Sequence, residues 1–146
     1  MKFWFLKTLD SALRAQLTLV SADIRIKLCM SNNTCVADRA TAQYLQDIGN
    51  VDEYSGTGYT ELTCTGEALA IDAAALQVEL SVNPGSFGSS VAAGPRLATG
   101  YLVYKRVDGV SDPLLGYSTE GGFPLNGAGG PFNLTPDVAN GLLTLA

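Results

Sequence analysis

The sequence predicts a mainly β fold, an antiparallel β-sandwich or jelly-roll-like barrel with an N-terminal α-helix. About eight short segments alternate apolar and polar residues, and turn residues separate them. The clearest case is residues 96–122, where two alternating segments flank Asp108-Gly109 and Ser111-Asp112-Pro113. Glycine supplies positive φ angles and proline removes a ladder donor, so these residues are typical of a tight hairpin loop. We expect this hairpin at the centre of the sheet.

The composition is that of one folded domain with few charges. The chain has 146 residues, of which 47% are hydrophobic and 16% charged, and 16 are glycines. Soluble domains average about one quarter charged residues, so we expect partners to cover part of the surface. The simpler alternative is a β domain rich in small residues with nothing bound. A net charge of −5 disfavours nucleic-acid binding by a basic face, and no apolar run reaches the ~18 residues of a membrane span.

The N-terminal segment predicts an amphipathic helix over residues 3–17. Its apolar residues recur at helical spacing, at Phe3, Leu6, Leu9, Leu13 and Leu17. The charges of Lys7, Asp10 and Arg14 interrupt what a signal peptide would keep apolar, which argues against export by that route. We therefore divide the chain into an N-terminal helix or arm, residues 1–22, and a single β domain, residues 23–146. The helix packs on its own sheet or docks on a neighbouring subunit.

The first half of the β domain contains one strong strand and one ambiguous segment. In residues 23–30, Ile24, Ile26, Leu28 and Met30 fall on one face and Arg25, Lys27 and Cys29 on the other. Residues 38–48 form either a short helix or a loop across the end of a sheet. Asp47, Asp52 and Glu53 surround Gly49, and their spacing matches no recognised calcium loop, so a solvated acidic loop is the favoured interpretation.

Further strands follow in the second half. Residues 59–66 alternate, and residues 67–71 and 76–82 predict a second hairpin. Glycine and serine make residues 83–94 a loop in which Phe87 stands alone, either as a contact anchor or tucked underneath. Residues 121–130 predict another loop, and residues 132–134 and 142–145 predict the last strands.

The residue types that carry catalysis are scarce. The sequence has no histidine, which excludes Ser-His-Asp and Cys-His arrangements and makes a zinc site hard to build. Carboxylates on the predicted strands are typical of the wet face of any β-protein; they are Glu61, Glu67, Asp72 and Glu79. The three cysteines are interpreted as buried small hydrophobes, with a Cys29–Cys35 bridge across a turn as the alternative. We expect no enzyme and no cofactor.

A sugar-binding module remains an alternative. Such modules stack sugar rings on exposed aromatic side chains, and five tyrosines are available: Tyr54, Tyr59, Tyr101, Tyr104 and Tyr117. Tyrosines on strands more often bury the ring and leave the hydroxyl at the rim.

The assembled pattern resembles small structural proteins of tailed bacteriophages. An N-terminal helix and the IRIKLCM strand precede a Gly-Tyr-Thr segment at residues 58–60. A Tyr-Lys segment that runs to Asp-Pro-Leu-Leu follows at residues 104–115, and a glycine-rich loop precedes the final strand. The resemblance covers most of the chain from Asp23 onward.

This resemblance implies a virion component, specifically a capsid decoration or cement protein made in the host cytoplasm and placed on the capsid surface. Its partners would be the major capsid protein and sister subunits in a homotrimer, without nucleic acid or membrane. A tail-associated structural protein is the alternative. We expect the contact elements to be the helix and the loops at residues 83–94 and 121–130. The predicted interface side chains are Phe3, Trp4, Phe5, Phe87 and Phe123.

Overall fold

The computed structural model describes residues 1–13, 18–19, 22–72, 77–120, 122–135 and 143–145. The fold is mainly β, as predicted, and all strand pairs are antiparallel. The one α-helix in this part of the chain is α1, Leu6–Leu13, and single 3-10 turns lie at Ala37–Ala40 and Leu45–Asp47. The strands are β1 Lys2–Trp4, β2 Ile24–Met30, β3 Leu62–Thr63, β4 Ala68–Asp72, β5 Gln77–Ser81, β6 Gly85–Ser86, β7 Ala98–Lys105, β8 Leu114–Ser118, β9 Asn133–Leu134 and β10 Leu143–Leu145.

The largest sheet has five strands in the order β1-β8-β7-β2-β3. The predicted central hairpin is confirmed, because β7 is the middle strand and pairs with β8 on one side and β2 on the other. The β2–β7 register runs from Ile24 opposite Lys105 to Met30 opposite Ala98, with an irregularity after Cys29. This register places Arg25 opposite Tyr104 and Lys27 opposite Leu102.

Apolar residues cover one face of this sheet and part of the other. Ile24, Ile26 and Leu28 belong to a large buried cluster on one face, which we call core 1. Cys29 and Leu102 belong to a second buried cluster on the other face, core 2. The period-2 alternation predicted for β2 is therefore confirmed, and only part of the core 2 face is apolar, since β2 also directs Arg25 and Lys27 that way.

The predicted helix over residues 3–17 is too long at its start. Phe3 lies opposite Tyr117 and Trp4 opposite Gly116 in the β1–β8 pair. Phe3 joins core 2 whereas Trp4 joins core 1. A strand sends adjacent side chains to opposite faces, so it buries both rings where a helix would bury only one stripe. Residues 14–17 lie outside the described part of the chain, and the division at residue 22 stays a prediction.

The smaller sheets have the orders β10-β5-β4 and β6-β9. The predicted hairpin of residues 67–71 and 76–82 is confirmed as β4–β5, with residues 73–76 outside the described part. The loop predicted over residues 83–94 is wrong in one detail, because Gly85 and Ser86 form β6, opposite Leu134 and Asn133.

The strand predicted over residues 59–66 is also too long, since only Leu62 and Thr63 pair with β2. The amide of Met30 already donates to the carbonyl of Asp52 at 2.8 Å, and the carbonyl of Leu28 accepts the amide of Tyr54 at 2.9 Å. Residues 52–54 thus occupy the edge of β2 that a longer β3 would need. This arrangement brings Glu53 and Glu61 to the same stretch of β2.

Candidate functional site

The charged side chains of β2 meet acidic partners from two other segments. We call the set Asp23, Arg25, Lys27, Glu53 and Glu61 the charged row. It lies on the core 2 face of the sheet, along β2, which pairs with β7 on one side and β3 on the other. The side chains of Arg25, Lys27 and Glu61 are between 17% and 26% exposed. The row is therefore a half-buried surface rather than a fully solvated one.

Glu61 is the acceptor at the middle of the charged row. Its Oε1 accepts a hydrogen bond from Arg25 Nη1 at 2.7 Å, and its Oε2 accepts one from the Tyr104 hydroxyl at 2.5 Å. Lys27 Nζ lies 3.0 Å from the same Oε2. Burial opposes ionisation of Glu61, but these donors outweigh burial and lower its pKa to about 2.

Lys27 joins the two glutamates of the row. Its Nζ donates to Glu53 Oε2 at 2.7 Å as well as contacting Glu61. The Tyr59 hydroxyl donates to Glu53 Oε1 at 3.1 Å and accepts from the amide of Leu28 at the same distance. Burial would lower the pKa of Lys27, yet the bonds to both carboxylates raise it above its ordinary value. Lys27 therefore stays charged at neutral pH.

These ion pairs and hydrogen bonds limit the reactions in which the charged row could take part. A general acid must hold a proton near neutral pH, and Glu61 with a pKa of about 2 does not. A nucleophilic lysine needs a lowered pKa, and that of Lys27 is raised. The geometry is that of a neutralising network which fixes β2 to the segments that carry Glu53 and Glu61.

A second feature is the loop between β7 and β8, residues 106–112, which we call the valine loop. Asp112 is fully buried, and its Oδ1 accepts the amides of Val107, Asp108 and Gly109 at 2.8 to 3.0 Å. Asp108 Oδ1 in turn accepts the amides of Val110 and Ser111 at 2.7 and 2.6 Å. Gly109 has a φ of +88°, a conformation that glycine adopts without strain.

This loop holds two apolar side chains in solvent. Val107 and Val110 are each 58% exposed. Sequence reasoning identified the turn from its Asp-Gly and Asp-Pro pairs but missed the two valines as surface residues. The signal was present, because Val110 lies between the turn residues Gly109 and Ser111, and Val107 directly precedes Asp108.

Four of the five predicted interface side chains are packed inside the chain. Phe3 and Phe5 lie in core 2, with their ring centroids 5.7 Å apart. Trp4 and Phe87 lie in core 1, where Phe87 stacks on Tyr59 at 6.0 Å. Phe123 is partly buried, 6.0 Å from the Tyr101 ring. A contact role for the first four would require the core to open.

The tyrosines considered for sugar binding are also largely inside. Tyr59 is partly buried, and the fully buried ones are Tyr54, Tyr101, Tyr104 and Tyr117. A sugar cannot stack on the ring faces of these four in this conformation, and their hydroxyls serve internal hydrogen bonds, as the Tyr104–Glu61 pair illustrates.

The acidic residues around Gly49 do not converge. Asp47 accepts the amides of Gln43 and Tyr44, Asp52 pairs with Arg96, and Glu53 belongs to the charged row. Among the described residues, no group of three or more histidine, cysteine or carboxylate side chains is placed to hold a metal ion. Within the same residues, no helix is long and apolar enough to cross a membrane.

Comparison with known proteins adds no assignment. No protein-family model matches the chain, and neither curated proteins nor solved structures gave a significant match.

Proposed function

We propose that this protein is a structural component of a tailed-bacteriophage virion, a capsid decoration protein that stabilises the head shell by non-covalent contacts. Its partners would be the major capsid protein and sister subunits, with a homotrimer as the unit. The resemblance of most of the chain from Asp23 onward to small phage structural proteins supports this proposal. The observation that carries it is the valine loop, a rigid tip with two exposed apolar side chains.

A rigid apolar tip is suited to docking. Binding immobilises flexible loops at a cost in conformational entropy, and a loop already held by internal hydrogen bonds loses little. In the valine loop, five amides between Val107 and Ser111 are bound by Asp108 and Asp112. Many copies on one lattice bind tightly even where each contact is weak. Burial of Val107 and Val110 at the contact would therefore add favourable binding free energy in each copy.

The charged row supports a role without chemistry. Its lysine and its central glutamate have pKa values shifted away from neutrality, so both stay charged. A network of this kind holds β2 in register with the segments that carry Glu53 and Glu61. A protein that stabilises a shell through its folded surface needs such a fixed arrangement.

We also propose that the three sheets form a sandwich. Leu80 of β5 and Leu134 of β9 belong to core 1 together with Ile26 of β2. Side chains from all three sheets thus share one buried cluster, which is typical of sheets packed face to face.

The first experiment measures copy number. Quantitative mass spectrometry of purified phage particles would be expected to find hundreds of copies of the chain per particle. A handful of copies would instead indicate the tail-associated alternative, and absence from the particle would overturn the virion proposal.

The second experiment tests the valine loop directly. Val107→Asp with Val110→Asp would be expected to lower occupancy on decoration-free heads at least tenfold, with the fold retained by circular dichroism. Leu97→Asp is the matched control: Leu97 is 46% exposed and sits at the other end of β7, about 26 Å away along an eight-residue strand. Equal losses in both variants would contradict a role for the loop.

A further inference from the structure

Two of the three cysteines lie in the same buried cluster. Cys29 and Cys35 are both fully buried in core 2, and both are free thiols. Cys29 is the last residue of β2 before the irregularity in the β2–β7 register. Cys35 follows the turn that leaves β2, so the chain folds back and places it beside the strand from which it came.

Asn33 holds this turn at both ends. Its amide and its Nδ2 donate to the carbonyl of Met30 at 3.3 and 2.7 Å. Its Oδ1 accepts the amide of Cys35 at 3.2 Å. Asn33 therefore bonds both to Met30, which is next to Cys29, and to the amide of Cys35. The amide of Thr34 donates separately to the carbonyl of Asn50 at 2.9 Å. The approach of the two thiols is built into the fold.

The turn between Met30 and Cys35 brings both thiols into the same buried cluster, core 2. A hydrogen bond with Cys35, followed by burial, raises the pKa of the Cys29 thiol well above its ordinary value. The thiolate is the form that attacks a disulfide, so Cys29 is unreactive while the native structure stays closed. Reaction requires folding or local opening, when the thiols are accessible and still close together.

We propose that Cys29 and Cys35 form an intrachain disulfide, closing a loop of seven residues, when the chain folds in the presence of a disulfide oxidant such as oxidised glutathione. One cysteine thiolate attacks a sulfur of oxidised glutathione, and one glutathione leaves. The other cysteine then attacks the mixed disulfide, and the second glutathione leaves. The two thiols lose two electrons and two protons, which the two glutathione molecules carry away. This inference does not rest on the phage assignment.

Cys64 provides an internal control. It is buried in core 1, on the opposite face of the five-stranded sheet from Cys29 and Cys35. Burial raises the pKa of its thiol to about 12. The native fold therefore disfavours pairing of Cys64 with either of the other two cysteines.

The sequence makes the test direct. Trypsin cleaves after Lys27 and Arg39, so residues 28–39 form one peptide that contains both cysteines, and Cys64 lies on another, residues 40–96. The reduced chain is diluted from urea into a mixture of reduced and oxidised glutathione, quenched with acid, unfolded again in urea so that any free thiols are accessible, alkylated with iodoacetamide and digested. The same mixture kept in concentrated urea reports the pairing due to chain proximity alone.

We expect the 28–39 peptide to be unalkylated and lighter than its dithiol form by two hydrogen atoms. The effective concentration of the Cys29 and Cys35 thiols relative to each other should be at least tenfold higher during folding than in urea. Cys64→Ser should leave the yield of the Cys29–Cys35 disulfide unchanged. The oxidised protein should also melt roughly 5 °C or more above the reduced one. Full alkylation of the peptide, glutathione adducts, cross-links to Cys64, or equal closure in urea would each overturn the proposal.

Discussion

The hydroxyl of Tyr54 lies 2.6 Å from Oδ1 of Asn126, 72 residues further along the chain. Both oxygens accept the same two amides. Gly94 N lies 2.8 Å from Tyr54 Oη and 2.9 Å from Asn126 Oδ1. Gly127 N lies 2.9 Å from Tyr54 Oη and 3.0 Å from Asn126 Oδ1. The Tyr54 hydroxyl is also 3.0 Å from the carbonyl of Ala92. This shared acceptor pair joins three loops at one end of core 1.

Because the two acceptors are redundant, we predict that their removal is not additive. Tyr54→Phe and Asn126→Ala should each lower the free energy of unfolding by about 1 kcal/mol, since the other oxygen still accepts both amides. The double variant leaves both amides without their acceptors and should cost at least about 1 kcal/mol more than the sum. Urea denaturation of the four proteins in this cycle measures the difference, and simple additivity would show that the pair is not redundant.

The charged row gives a pH-dependent prediction. Glu61→Gln keeps the shape of the side chain but removes the charge that faces Arg25 and Lys27, so we expect a loss of about 1–2 kcal/mol at pH 7. The pKa of Glu61 is lowered to about 2 in the folded state, from an ordinary value near 4.5. Its contribution is therefore complete above pH 4.5 and declines as the pH falls through 2. The gap between the wild type and the variant should close over that range.

Urea midpoints measured from pH 7 down to pH 2 would follow this change. Glu67→Gln, which removes one negative charge outside the charged row, is the matched control and should shift the midpoint by less at every pH. A gap between wild type and Glu61→Gln that widened on acidification would have the wrong sign for this network.

The valine loop should lose its order when Asp112 is removed. Asp112→Ala deprives the amides of Val107, Asp108 and Gly109 of their shared acceptor, and we expect a loss of about 2–3 kcal/mol. Amide hydrogen exchange should accelerate most at those three residues. Asp108→Ala is the complementary variant, because it releases Val110 and Ser111 instead. If both variants accelerated exchange at the same residues, the two aspartates would not act separately.

The parts of the fold that could be predicted are those in which short-range pattern and long-range packing agree. In β2, Ile24 and Ile26 alternate with Arg25 and Lys27, and one face is indeed apolar. The β7–β8 hairpin was predictable because the turn chemistry around Asp108-Gly109 lies between two extended segments.

The N-terminal segment shows why the rest could not be predicted. The spacing of Phe3 and Leu6 fits a helical stripe, whereas the consecutive aromatic residues Phe3 and Trp4 fit a strand whose two faces are buried. Only the presence of β8 as a partner decides between the two. The decision thus depends on contacts with residues 116–118, more than a hundred positions away.

The charged row was hidden for a related reason. The alternating pattern predicts Arg25 and Lys27 on one face of β2, and Glu61 is predicted to be an ordinary strand carboxylate. The local sequence pattern does not encode the register that brings them together. That register depends on residues 52–54 occupying one part of the β2 edge and β3 another. Which side chains pair across the strands therefore depends on which segments occupy the β2 edge, and the local sequence pattern does not determine it.

The final prediction concerns the N-terminal strand, which was expected to belong to a contact arm. Phe5 is fully buried in core 2, and its amide donates to the carbonyl of Leu115 at 3.0 Å. Leu6, the next residue, is 48% exposed. Phe5→Ala should therefore destabilise the fold by about 3–5 kcal/mol, whereas Leu6→Ala should change stability by no more than about 0.5 kcal/mol.

Thermal and urea unfolding of Phe5→Ala and Leu6→Ala show whether the N-terminal segment is part of the fold or an arm that the fold does not need. Deleting residues 1–17 removes β1 as well as any contact surface, so a loss of particle binding in that deletion would not identify a docking element. The paired point variants avoid this difficulty because Leu6→Ala leaves β1 and core 2 intact. If Phe5→Ala were as stable as Leu6→Ala, the N-terminal segment would be dispensable for the fold, and an arm that docks elsewhere would again be the better description.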